Sequence, residues 1–161
     1  MNEAVTLPLV KIRAFIFDDD EIIRTMLGRL LMRRGYEVFT YTDPGGSSLY
    51  LRGPCPCLGD RACGDIILSD INMLQVSGLA FMENQVKWGC KLRNWALMSG
   101  VVTPVEIAFA QRLGCHLFRK PFTLAEMQQW LEACEQKISS HRELDDWFQH
   151  CPTVNELCQP V

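Results

Sequence analysis

Residues 13 to 21 read Arg13-Ala14-Phe15-Ile16-Phe17-Asp18-Asp19-Asp20-Glu21. The apolar run Ala14 to Phe17 has strand character and stops abruptly at three aspartates. Consecutive carboxylates at a strand end repel one another, and in a partly dry site each like-charge contact costs on the order of 1 kcal/mol or more. A fold keeps such a cluster when a cation or a lysine neutralises it. Mg²⁺ suits carboxylate oxygens and keeps some of its waters for a phosphate-bearing partner. Asp20 directly precedes a helical pattern that begins at Glu21, so it reads as a helix cap. The remaining sequence decides what else reaches this point.

The chain has 161 residues, enough for one domain with a proper core. An apolar fraction of 48% and a charged fraction of 22% place it among ordinary globular domains. A net charge of −3 gives no support for a nucleic-acid-binding surface. No apolar run approaches the ~20 residues of a membrane span. The N-terminus lacks a basic segment followed by an apolar core, so no signal peptide is expected. Most of the eight cysteines sit singly in apolar patterns, as Cys134 does. Reduced thiols and a cytoplasmic location follow as the expectation.

Residues 1 to 9 form a lead-in without a clear signal. Lys11 to Phe17 is the first strand, apolar almost throughout, as a strand buried on both faces should be. Glu21 to Arg34 is a helix with Ile22, Ile23, Met26, Leu27, Leu30 and Leu31 at helical spacing, stopped by Gly35. Tyr36 to Tyr41 is a second strand, and Asp43-Pro44-Gly45-Gly46 a turn. A short helix over Ser47 to Leu51 leads into residues 53 to 64, a Pro-, Gly- and Cys-rich inserted loop. Asp65 to Asp70 is the third strand. After Gly78 a helix carries Leu79, Phe81, Met82 and Val86 and closes near Gly89. Leu92 to Ser99 is the fourth strand. Thr103-Pro104-Val105-Glu106 starts a helix with a capping box, and Ile107, Ala110 and Leu113 read as its inner face. Cys115 to Arg119 is the fifth strand, followed by Lys120-Pro121-Phe122. Thr123 and Glu126 make a second capping box for a helix that buries Leu124, Met127, Trp130, Leu131, Cys134 and Ile138. One domain is therefore expected over residues 10 to 138, with a tail over 139 to 161 whose Trp147 and Phe148 either pack on it or meet a partner.

Strands alternating with helices force parallel pairing, and the class is α/β with helices on both faces. Ligand sites in such sheets lie beyond the carboxyl ends of the strands. Asp18 to Asp20, Asp70, Ser99 and Lys120 all fall there. Phosphoryl transfer to a carboxylate needs a nucleophilic oxygen, a divalent ion and donors for the remaining phosphoryl oxygens. Asp70, alone at a central strand end, suits the nucleophile, and Asp18 and Asp19 suit the metal. Ser99 can donate to a phosphoryl oxygen. Lys120 can pair with the aspartates at rest and with phosphate afterwards. A cis bond before Pro121 would fix how Lys120 enters the site.

Over residues 10 to 138 the chain resembles the receiver domains (CheY-like) of bacterial two-component response regulators. The family's acidic pair matches Asp18 and Asp19. Its phosphoacceptor motif matches Ser69-Asp70-Ile71-Asn72-Met73 with Gly78 at the right distance. Its switch hydroxyl matches Ser99, followed by the small Gly100, and its Lys-Pro-Phe matches Lys120-Pro121-Phe122. The resemblance implies a flavodoxin-like (βα)5 fold, a five-stranded parallel sheet of order 2-1-3-4-5. It also implies Mg²⁺ held by Asp19, Asp70 and the main-chain carbonyl of Asn72, with Asp18 acting through metal-bound water. The phosphoryl donor would be a sensor histidine kinase or a histidine phosphotransfer protein, and the output a downstream protein effector bound without any attached output domain. Two positions depart from the family. Leu74 replaces a proline, which leaves the loop after Asp70 less rigid. Leu117 replaces the aromatic switch residue, and Phe118, one place along, points to the opposite face.

Two other functions stay open. A degenerate receiver would serve as a scaffold independent of phosphorylation. A phosphatase resembling the haloacid dehalogenases would use Asp18 as nucleophile and Asp20 as acid, but leaves Asp70 and Pro121 without a role. Cys55, Cys57 and Cys63 could hold a soft metal or form a disulfide. The favoured reading is a rigid, solvent-facing loop with free thiols. Neither a monomer nor a homodimer is selected.

Overall fold

The computed structural model describes residues 11–150. The first ten residues and the end of the tail, with Cys151-Pro152 and Gln159-Pro160, lie outside them. The strands are β1 (Arg13–Phe17), β2 (Glu37–Tyr41), β3 (Ile66–Asp70), β4 (Asn94–Ser99) and β5 (His116–Arg119). All pair in parallel in the order β2-β1-β3-β4-β5. The helices are α1 (Glu21–Arg33), α2 (Ser48–Leu51), α3 (Gly78–Lys87), α4 (Pro104–Leu113) and α5 (Leu124–Lys137), with 3₁₀ turns at Pro44–Gly46 and Trp147–His150. None of the described helices is long and apolar enough to cross a membrane.

Burial follows position in the sheet. Every residue of β1 and β3 is buried, because these strands lie inside the sheet with helices on both faces. Alternate residues feed two cores. Ala14, Ile16, Leu68, Met98 and Phe118 pack with Leu27 and Leu31 of α1 and Met127 and Leu131 of α5. Phe15, Phe17, Ile67, Trp95 and Leu97 pack with Leu49, Phe81, Met82 and Phe109 on the other face.

The helices start where side chains satisfy the free amides of the first turn. Asp20 Oδ1 accepts from Ile22 N at 2.9 Å. Thr103–Glu106 and Thr123–Glu126 both close as reciprocal capping boxes. Gly114 ends α4 at φ 69°, in the left-handed region that glycine tolerates.

Four apolar stripes are narrower than the spacing suggests. Ile22 is 80% exposed and Met26 40%, since α1 turns chiefly Leu27 and Leu31 to the sheet. Leu124 and Val86 are likewise exposed. In α4 the inner face is Glu106, Phe109 and Ala110, while Ile107 is 43% exposed. Phe109 buries more apolar area than Ile107 would, and the carboxylate of Glu106 finds donors inside, so this rotation wins.

The inserted loop and the tail also correct the reading of a solvent-facing loop. Cys57 and Cys63 are buried, in one core with Phe15 and Phe148. α2 has only four residues, so it covers little of the sheet beside β1 and β2. The tail supplies the missing cover. Phe148 packs edge-on against Phe15 at 5.2 Å and Phe39 at 5.1 Å. Arg13, buried in β1, pairs with Asp146 at 2.7 Å and Glu37 at 3.0 Å and lies over the Phe148 ring. Arg142 grips Asp65 through two bonds of 2.6 and 2.8 Å. The segment from Arg142 to Phe148 thus packs on the domain.

Candidate functional site

Asp18, Asp70, Ser99 and Lys120 lie at or just past the carboxyl ends of β1, β3, β4 and β5. Parallel pairing brings these ends to one edge. Asp18, Asp19 and Asp70 each bring a carboxylate oxygen within 4.8 Å of the other two. Lys120 Nζ lies 2.9 Å from Asp18 Oδ2 and 3.2 Å from Asp70 Oδ1. The Lys120–Pro121 bond is cis.

The three carboxylates stand in different surroundings. Asp18 is fully buried. Its Oδ2 accepts from Lys120, its Oδ1 accepts from Asp20 N at 2.9 Å, and its main-chain carbonyl accepts from Arg24 at 2.8 Å. Asp19 is exposed. Asp70 is buried, with 7% of its surface exposed. Burial raises the Asp70 pKa above the ordinary aspartate value; Lys120 opposes this, and the charges of Asp18 and Asp19 add to it. Burial pulls the Lys120 ammonium down, but its bonds to Asp18 and Asp70 outweigh that, and its pKa ends raised.

The loop after Asp70 has anchors that the sequence did not suggest. Leu74 is 92% exposed and contributes no packing. Asp43, from the turn after β2, accepts from Gln75 N at 2.8 Å and Val76 N at 3.4 Å. Gly78 N donates to the Ile71 carbonyl at 2.8 Å. A Cβ at Gly78 would overlap the Asp70 carbonyl oxygen, so only glycine allows this close return. Asn72, expected to act through its carbonyl, is exposed on the same loop.

Ser99 reaches the edge fully buried, but its hydroxyl is engaged. It lies 3.0 and 3.2 Å from the Glu106 carboxylate oxygens and 2.9 Å from the Val101 carbonyl. Glu106 and Asp43 are the site residues that sequence reasoning missed. The first read only as a helix cap and the second only as a turn residue. Leu117 and Phe118 do point into opposite cores. The cysteines Cys55, Cys57, Cys63 and Cys90 are free thiols. Among the described residues only the aspartate triad gathers three ligand atoms closely, and Cys55, Cys57 and Cys63 are not such a group.

No family model and no curated protein matches this sequence. Solved structures do match. The Vibrio cholerae chemotaxis protein CheY4 is 23% identical, with a TM-score of 0.61 over 77% of this chain and 98% of its own. The non-phosphorylated HemR receiver domain of Leptospira biflexa is 21% identical, with a TM-score of 0.64 over 81% of this chain and 99% of its own. A Burkholderia pseudomallei response regulator, solved with a phosphorylated aspartic acid and a calcium ion, is 19% identical, with a TM-score of 0.58 over 79% and 70%. Strand order, helix placement and these likenesses agree: the chain has the CheY-like receiver fold of response regulators.

Proposed function

We propose that this chain is a phosphorylation-controlled signalling domain in which Asp70 accepts a phosphoryl group. The observation that carries the reading is the set of neighbours around Asp70. The Asp70 carboxylate stands beside a lysine and two further aspartates at the carboxyl edge of a receiver-type sheet. An Asp70 oxygen attacks the phosphorus of a phosphohistidine on a sensor kinase or phosphotransfer protein. The new O–P bond forms as the P–N bond breaks, and the imidazole leaves with the electron pair and takes up a proton. Lys120 can exchange its pairing with Asp70 for a phosphoryl oxygen while keeping Asp18.

The donor set is all oxygen and carries three carboxylates, which fits a hard divalent cation. Asp18, Asp19, Asp70 and the Asn72 carbonyl would hold Mg²⁺, with Asp18 positioned as an outer partner because both its oxygens already accept bonds. When bound, Mg²⁺ supplies positive charge against the phosphoryl oxygens. The domain acts on no separate substrate; its output is altered binding to a downstream protein in the cytoplasm. The phosphatase alternative loses support from the burial of Asp18, which is 0% exposed and has both oxygens occupied.

The test is intact mass after incubation with acetyl phosphate and Mg²⁺. The wild type should gain one phosphoryl group, and Asp70→Asn and EDTA-treated samples none. An adduct that persists in Asp70→Asn would overturn the reading.

A further inference from the structure

We propose that Glu106 is a positioning residue that holds the Ser99 hydroxyl away from Asp70 at rest and carries its release to the start of α4. This rests on the phosphoacceptor reading of Asp70 and adds to it the route of the response.

Ser99 has one hydroxyl proton and two acceptors within reach, the Val101 carbonyl at 2.9 Å and the Glu106 carboxylate at 3.0 Å. A charged acceptor forms the stronger bond, so the proton goes to Glu106. Glu106 is itself 8% exposed, and its Oε2 also accepts from Thr103 N at 2.9 Å, the cap of α4. The hydroxyl and the helix cap therefore share one buried carboxylate.

A phosphoryl group on Asp70 changes the competition. It adds negative charge and strong acceptor oxygens beside the end of β4. If Ser99 turns its proton to those oxygens, Glu106 loses a donor inside the protein. A buried carboxylate short of donors is costly, and the new charge repels it. Glu106 then swings outward, and the Thr103 amide loses its acceptor. The helix start at Thr103 to Ile107 loosens or shifts. Position 117, a leucine packed against the α3 and α4 core, has no polar group to follow the hydroxyl. The carboxylate of Glu106 has one, and it is already bonded to both ends of the route.

The test is amide hydrogen exchange resolved to Thr103 through Ile107, in the wild type, Ser99→Ala and Glu106→Gln. Measurements are made at rest and after treatment with acetyl phosphate and Mg²⁺. At rest, Ser99→Ala removes a donor from Glu106, and these amides should exchange roughly tenfold faster while α5 amides do not change. Glu106→Gln keeps a capping acceptor but not the charge. It should free Ser99, so phosphorylated Glu106→Gln should lose its phosphoryl group at a rate several-fold different from wild type. Combining it with Ser99→Ala should abolish that difference. A merely structural Glu106 would alter stability but leave the rate in Glu106→Gln unchanged. Unchanged α4 exchange in resting Ser99→Ala overturns the proposal whether or not Asp70 is phosphorylated. A wild type that takes no phosphoryl group overturns the phosphoacceptor reading instead, and this inference with it.

Discussion

Asp70 holds its carboxylate in a buried place beside two other aspartates. Burial and the charges of Asp18 and Asp19 raise its pKa against the opposing pull of Lys120. The folded state therefore holds the Asp70 proton more tightly than the unfolded chain does. Stability from this group is fully present below the unfolded aspartate pKa and is lost as pH rises through the raised folded value. Asn does not titrate and carries no charge. Asp70→Asn should accordingly be more stable than the wild type at neutral pH in EDTA, and the gain should shrink as pH falls through the raised pKa. Urea unfolding of both proteins across that range measures it. A wild type that is the more stable at neutral pH would mean that the Lys120 pair outweighs the repulsion. Mg²⁺ should reverse the order by occupying the aspartates of the wild type.

At the scale of elements, the tail and the short α2 are one solution to one packing problem. Four helical residues leave the β1–β2 side of the sheet open, and Phe148 fills that space between Phe15 and Phe39. Phe148→Ala should cost about 3–5 kcal/mol in urea unfolding, as for other buried aromatic truncations. Leu74→Ala, at a 92% exposed position, should change stability by no more than about 0.5 kcal/mol. A Phe148→Ala cost as small as that of Leu74→Ala would show the tail to be dispensable to the fold. The packing of Trp147 and Phe148 was not legible in the sequence. It depends on a loop without periodicity and on the Arg13–Asp146 pair, whose partners stand 133 residues apart by their numbers. The strands and the long helices were legible because period and capping residues are local. Asp20, Thr103 and Thr123 cap where the sequence places them. The inner face of α4 was not, because Glu106 is buried by a bond to Ser99 that no helical period encodes.

At the scale of the whole molecule, the sequence revealed the edge but not its wiring. Parallel topology alone carries Asp18, Asp70, Ser99 and Lys120 to one place, and the first three stand at the ends of apolar strands. The residues that hold them were hidden for a physical reason. Arg24, Asp43 and Glu106 act through main-chain groups or single hydroxyls, and such bonds leave no spacing to read. The phosphoryl group is proposed to sit on one oxygen of one carboxylate, so its location is what should be measured. After acetyl phosphate and Mg²⁺, borohydride reduces an aspartyl phosphate to homoserine, which peptide mass spectrometry can place in the chain. Homoserine is expected at position 70 and none at 18 or 19. Reduction at position 18 would contradict this and restore the phosphatase reading; no reduction anywhere in a folded, Mg²⁺-binding protein, with a phosphorylated kinase also failing to transfer, would leave a scaffold.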